Sequence, residues 1–299
     1  MSKVSTLTEA VASVPGGAHI ALSGFATARC SMAFAHEIVR QGIRRLTVSQ
    51  CVAGIDTDIL VGAGAVERVI NGGGSRGRSG QHQSLCRAIE QGTLTTEEYS
   101  SLSMTFRYLA GSLGLPFIPI RSLNGSDILK NLQAIDPPVV SQIADPFSGE
   151  EWLLLKPLLP DVSVIQAQVA DEDGNTWILG PRWDNEEQAK ASQRVIVITE
   201  QLVSGETIRR NPERTVIPSF KVSHVVHLPF SAHPSSVYQV YDFDRWHIKE
   251  YGEASRSPEG FKAYLDRYVL GVKDHWEYLE KIGGMKHLSS LMADPVLGY

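Results

Sequence analysis

Two stretches carry the residue types that chemistry needs. The first is Ser23-Gly24-Phe25, followed closely by Arg29. The second is Gly72-Gly73-Gly74-Ser75-Arg76-Gly77-Arg78-Ser79-Gly80. A glycine turn lets a ligand approach the backbone, and its N–H groups can hold anionic oxygens. Arg29 can grip a carboxylate through two parallel hydrogen bonds. The candidate substrate-binding set is therefore Ser23, Gly24, Phe25, Arg29, Gly73, Gly74, Ser75, Arg76 and Arg78. The plain alternatives are an ordinary strand-helix joint and a flexible surface loop. Glu97 and Glu98 stand side by side. One of them is a general base if its surroundings are dry; otherwise the pair favours the positive end of a following helix.

Several chemistries lack their residues. The glycine stretch has no Gly-Lys-Ser/Thr ending, which excludes a Walker loop. Gly72, Gly74 and Gly77 match Gly-x-Gly-x-x-Gly formally, with no acid at the ribose distance. A Rossmann-like nucleotide-binding protein is thus a separate reading. Gly-x-Ser-x-Gly does not occur, so a serine hydrolase is unsupported. The 9 histidines show no metal-ligand spacing. His224 and His227 face opposite sides of one strand, and no metal is assigned. Anion-binding turns without a convincing nucleophile suggest a site that another polypeptide completes.

The elements that must position these residues alternate. Periodicity predicts helices over 6–14, 32–40, 56–61, 82–90, 101–113 and 185–192. It predicts strands over 19–22, 46–49, 66–71, 115–120, 162–168, 176–179, 194–199 and 224–228. Thr6 or Thr8 and Asp56 are cap candidates. The prolines put 115–120 at a sheet edge, and 162–168 reads as buried on both faces. Strand-helix alternation gives an α/β fold: an open, mainly parallel sheet with helices on both faces. The expected organisation is a single domain over 1–299, with an irregular surface excursion at 135–152 and a helical C-terminal segment over 257–299. Phe261, Tyr264, Tyr268, Trp276 and Tyr278 read there as docking faces.

The chain has 299 residues, a net charge of −5, 42% hydrophobic and 20% charged residues, enough for a full core. It has no basic block to bind nucleic acid and no apolar run long enough to cross a membrane. Cys30, Cys51 and Cys86 are few and scattered, which fits a reducing compartment. A cytoplasmic protein is expected.

In this order the residues resemble a known family. Leu7-Thr8-Glu9-Ala10, His19-Ile20-Ala21-Leu22 with Gly24-Phe25 and Arg29, Gln91-Gly92-Thr93-Leu94 and Glu98-Tyr99-Ser100 are similar to the A subunits of class I CoA-transferases, of the glutaconate CoA-transferase type. So are Gly114-Leu115-Pro116-Phe117-Ile118-Pro119, Pro160-Asp161-Val162 with Gln166-Ala167-Gln168, Ala232-His233-Pro234-Ser235, Tyr241-Asp242 and Leu297-Gly298-Tyr299. The resemblance implies a NagB-like fold and a homologous B subunit, in a heterodimer or higher even heteromer. It implies an acyl-CoA substrate and no permanently bound cofactor. It also implies that a glutamate of the B subunit becomes the covalent CoA carrier, while this chain lends the 24–29 loop and the loop after Asn71 to the acyl pocket. Arg29 would bind the distal carboxylate of a dicarboxylic acyl group. Ser23 and Ser31 replace the glycine and proline usual in that loop, and the second loop is unusually rich in glycine and arginine. The changes fall in the acyl pocket, so glutaconate itself is not assumed. Relatives of this fold hydrolyse ring β-diketones or decarboxylate their substrates. That alternative would use Glu98 as base, with Ser101 at the position where one such relative has a glutamate.

Overall fold

The computed structural model describes residues 2–294, 296 and 297, apart from the Arg78 side chain; Gly298 and Tyr299 of the terminal motif lie outside the described residues. The strands are β1 (His19–Leu22), β2 (Leu46–Gln50), β3 (Val66–Asn71), β4 (Thr95–Glu98), β5 (Ile118–Ile120), β6 (Val140–Ala144), β7 (Glu151–Leu155), β8 (Val162–Asp171), β9 (Thr176–Trp177), β10 (Arg194–Val203), β11 (Thr215–Ile217) and β12 (Val222–His227). Parallel pairing runs β12-β10-β8-β1-β2-β3-β4. β9 turns back antiparallel on β8 and carries β11.

Alternate residues of the central strands enter different cores. Ile20, Leu22, Val162, Val164, Ile196 and Ile198 pack with Phe34 and Ile38 of the helix Met32–Gln41. Ile165, Ala167, Val195 and Val197 pack with Ala189 of the helix Asn185–Ala191 on the other face. Both faces of a period-two strand are thus covered by helices. The expected α/β sheet is the one present.

Differences from expectation have local causes. The helix Leu7–Ala12 is capped by Thr6 in a reciprocal box with Glu9, not by Thr8. Asp56 is not a cap: Gly54 holds that place, and the fully buried Asp56 carboxylate accepts the Ser31 amide at 2.8 Å. The Thr-Thr-Glu-Glu segment is strand β4, although its composition argues against one; pairing with β3 in register Asn71↔Glu98 outweighs propensity. The 115–120 segment yields only the short β5, half-exposed and at the edge of a separate antiparallel sheet ordered β5-β7-β6. That sheet also takes up much of the 135–152 excursion. The helix Arg245–Ala254 is an addition to the expected C-terminal helices. Phe261, Tyr264, Tyr268 and Tyr278 bury against Met32, Ile55 and Ile59, whereas Trp276 stays 54% exposed.

Candidate active site

The parallel strands all deliver their C-terminal ends to one edge, where free backbone groups collect. Pairing continues into the loops there. Phe25 bridges Val52, Ala53 bridges Gly74, and Ala28 bridges Ser236. The loops after β1, β2 and β3 therefore run side by side, with the loop after β12 on their flank. This brings the two candidate stretches together at one rim.

The first loop folds tightly. Ser23 is fully buried; its carbonyl accepts from Gln50 Nε2 and its Oγ from the Gln166 amide, both at 2.9 Å. It ties β1 to β2 and β8. Gly24 has φ +98°, and a Cβ there would lie 2.6 Å from the Arg29 carbonyl oxygen. Only glycine fits that crossing. Phe25 stacks on Trp183, with ring centroids 5.3 Å apart. Arg29 is only 2% exposed; its guanidinium lies 4.8 Å from the Trp183 ring centre, and Nη2 donates to the Pro181 carbonyl. Nη1 has no hydrogen-bond partner among the described residues. Desolvation draws the Arg29 pKa down to about 10, against the pull of Asp184, so the charge persists at neutral pH. Ala26, Arg29 and Trp183 all have positive φ, a strained backbone of a kind that gathers at functional sites.

The neighbouring residues are mostly closed to solvent. Asp184 is buried, its Oδ2 without a partner among the described residues, and desolvation pushes its pKa up to about 7. Burial, reinforced by Asp184, pushes the Cys51 thiol up to about 12, which makes it inert as a nucleophile.

The glycine loop divides. A Cβ on Gly72 would lie 2.7 Å from the Cys51 carbonyl oxygen and 2.8 Å from the Ser101 amide nitrogen. Gly73 and Gly74 are exposed at the rim, and Ser75 is half-buried. Arg76 turns away: it is 4% exposed, donates twice to the Gln81 carbonyl and packs on Gly252. The Arg78 side chain lies outside the described residues. The dinucleotide reading fails on geometry. Gly72 and Gly74 extend the pairing of β3 with β2, a 3-10 turn follows at Gly77–Ser79, and the next helix begins only at Gln83. A pyrophosphate site needs the glycine turn to open directly into a helix N-terminus.

The two adjacent acids separate because strand residues alternate. Glu97 is buried between Arg68 (3.1 Å), Arg107 (3.5 Å) and the Tyr99 hydroxyl (3.0 Å). Glu98 is exposed at the end of β4, opposite Asn71. Trp183 and Asp184 escaped the sequence reading. They sit in an irregular segment after β9, and nothing in their spacing advertises the fold-back onto Arg29. No helix among the described residues is long and apolar enough to cross a membrane.

The family model described as coenzyme A transferase matches residues 4–228. The chain is 38% identical to the A subunit of glutaconate CoA-transferase from Acidaminococcus fermentans, over 100% of this chain and 97% of that protein. It is 34% identical to the A subunit of 3-oxoadipate CoA-transferase from Pseudomonas knackmussii, over 94% and 99%. An uncharacterized Archaeoglobus fulgidus protein is 39% identical over 97% of this chain, which spans 64% of that relative's length. The crystal structure of the Acidaminococcus fermentans glutaconate coenzyme A-transferase superposes with TM-score 0.94 at 37% identity, covering 100% of this chain and 98% of that one. The decarboxylase AibA/AibB gives TM-score 0.76 at 31% identity, over 89% and 100%.

Proposed function

The chain belongs to the coenzyme A transferase family, and from that premise we propose that it is the A subunit of a heteromeric CoA-transferase. It moves CoA from an acyl-CoA to a carboxylate acceptor and works with a homologous B subunit in an even heteromer. The observation that carries this reading is the end-to-end likeness to the A subunit of glutaconate CoA-transferase, in sequence and in fold.

In this reading the thioester carbonyl is attacked by a glutamate of the B subunit. The CoA thiolate leaves, and an acyl-glutamyl anhydride forms. The thiolate then attacks the glutamyl carbonyl, releasing the first carboxylate and leaving a glutamyl-CoA thioester. The acceptor carboxylate reverses the sequence. Carboxylate nucleophiles split one hard transfer into two easier ones. This chain supplies the wall. Among the described residues of its rim, neither Ser23, which is buried, nor Cys51, a protonated and inert thiol, is ready to act as a nucleophile. Gly73 and Gly74 let the acyl group approach the backbone. Phe25 and Trp183 form an aromatic side, and Arg29 Nη1 takes a distal carboxylate. The names of the relatives, glutaconate and 3-oxoadipate, are those of dicarboxylates and fit an arginine in the pocket. The free thiols Cys30, Cys51 and Cys86 fit a cytoplasmic setting.

One observation favours a second reading. Glu98 is an exposed carboxylate at the active edge, and the AibA/AibB decarboxylase shares the fold. Glu98 would then be a base for C–C hydrolysis or decarboxylation. A transfer assay on the co-expressed pair separates the two. The transferase consumes acyl-CoA only when acceptor is present and forms a new acyl-CoA. Consumption without acceptor, abolished by Glu98→Gln, supports the second reading.

A further inference from the structure

His233, Asp244 and His287 are separated by 11 and 43 residues in sequence, so spacing gives no hint that they meet. His233 lies in the loop after β12. Asp244 caps the helix Arg245–Ala254, and His287 belongs to the helix Gly284–Ser289. Asp244 Oδ2 stands 3.1 Å from His233 Nε2 and 2.5 Å from His287 Nε2, and the three atoms all fall within 4.8 Å of one another.

The surrounding groups fix two of the three donors. Asp244 Oδ1 accepts the Trp246 and His247 amides, both at 3.0 Å, which leaves Oδ2 as the single inward oxygen. His233 Nδ1 lies 2.7 Å from the Tyr278 hydroxyl. When that hydroxyl accepts from Nδ1–H, the lone pair is on Nε2, the tautomer a metal requires. The His233 and Asp244 side chains are 1% and 3% exposed, and that of His287 is 29%, so the cluster has a buried back and one side open to water. Neither Lys nor Arg pairs with Asp244 among the described residues.

We propose that His233 Nε2, Asp244 Oδ2 and His287 Nε2 bind one divalent transition-metal ion, of the zinc type, with water completing its coordination. Two imidazoles and a single carboxylate oxygen suit late first-row ions and disfavour magnesium and calcium, which want oxygen shells. Metal–donor bonds of about 2.0–2.2 Å put tetrahedral donors roughly 3.3 Å apart, so the 2.5 Å separation of His287 Nε2 from Asp244 Oδ2 must open by less than about 1 Å. Its short, half-exposed helix permits that. The ion would be a brace. The loop holding His233 also supports the Arg29 loop: Ser236 O accepts from the Arg29 amide at 2.8 Å, and Ser235 Oγ from the Cys30 amide at 3.0 Å. The metal would pin the terminal helix and this support to the sheet, and its ligands are positioning residues. The inference does not depend on the acyl-transfer reading.

The test uses the full chain with its co-expressed partner, incubated with zinc sulfate, dialysed and analysed by elemental mass spectrometry and thermal unfolding. Single-residue changes in this chain are compared within that complex. The expected wild-type content exceeds that of His287→Ala by about one zinc per chain, and His227→Ala, at an exposed strand end, retains the wild-type content. A chelator lowers Tm by at least about 3 °C, and zinc restores it. Cobalt(II) bound to wild type gives visible d–d bands that His287→Ala lacks. Should His287→Ala fail to fold, the chelator response and the cobalt spectrum of wild type still decide. Equal zinc in wild type and His287→Ala, or no zinc uptake with Tm indifferent to chelator, would show a purely hydrogen-bonded triad and overturn the proposal.

Discussion

At Arg29 a single guanidinium serves two ends. Nη2 and the Trp183 face hold it in place, and Nη1, buried and without a partner among the described residues, is the atom proposed to take the ligand carboxylate. Arg29→Lys keeps the charge but loses the planar fork. It is expected to raise KM for a dicarboxylic acyl-CoA by about tenfold or more, because a charge-assisted hydrogen bond contributes roughly 1.5–3 kcal/mol. Steady-state kinetics against a monocarboxylic acyl-CoA of equal length check this; an equal rise for both esters would remove the carboxylate contact. Asp184 makes a different prediction. Its folded pKa of about 7 is raised above the unfolded value near 4. The folded state holds the proton longer, so the associated stability is full below about pH 4 and is lost as pH rises through about 7. Asp184→Asn should flatten that fall, gaining up to about 1.4 kcal/mol per pH unit relative to wild type across the window. Denaturant midpoints at pH 5 and pH 8 measure it, and parallel curves for the two proteins would contradict it.

The elements show why loop crossings matter more than composition. Gly24 and Gly42 both have positive φ, but only Gly24 faces a backbone oxygen at 2.6 Å, whereas nothing lies within 4 Å of a Cβ on Gly42. Gly42→Ala should cost about 1 kcal/mol of left-handed strain, and Gly24→Ala clearly more, with loss of activity. Equal unfolding midpoints for the two variants would show that the β1 loop is looser than described. The parallel core was legible because β1, β2, β3, β8, β10 and β12 carry strong apolar patterns that end in glycine or polar turns. β4 was hidden: Thr-Thr-Glu-Glu becomes a strand only through its pairing with β3. The rim was half legible. Glycine and arginine announced the β1 and β3 loops, and the burial of Arg76 and the arrival of Trp183 and Asp184 depend on long-range packing. The separate fates of Glu97 and Glu98 follow from strand alternation, which could not be applied until the strand was known.

As a whole the molecule is a scaffold with an open edge. Helices cover both faces of the sheet, and the C-terminal helices close one flank through buried aromatic residues. The edge where the strands end gathers glycines, an aromatic pair and a buried arginine. Among the described residues there, neither Ser23 nor Cys51 is an activated nucleophile, which fits one side of a shared site. The isolated chain is therefore expected to be inactive in CoA transfer, and the B subunit to restore transfer when it is added. The measurement that decides is made on the co-expressed pair. It is incubated with an acyl-CoA, the thioester is trapped with borohydride or hydroxylamine, and the modified peptide is located by mass spectrometry. A modified glutamate on the B subunit, with none in this chain, is the predicted result. Substrate consumed with no modified carboxylate would contradict the transferase mechanism, and a modified Glu98 would contradict the placing of the nucleophile on the B subunit.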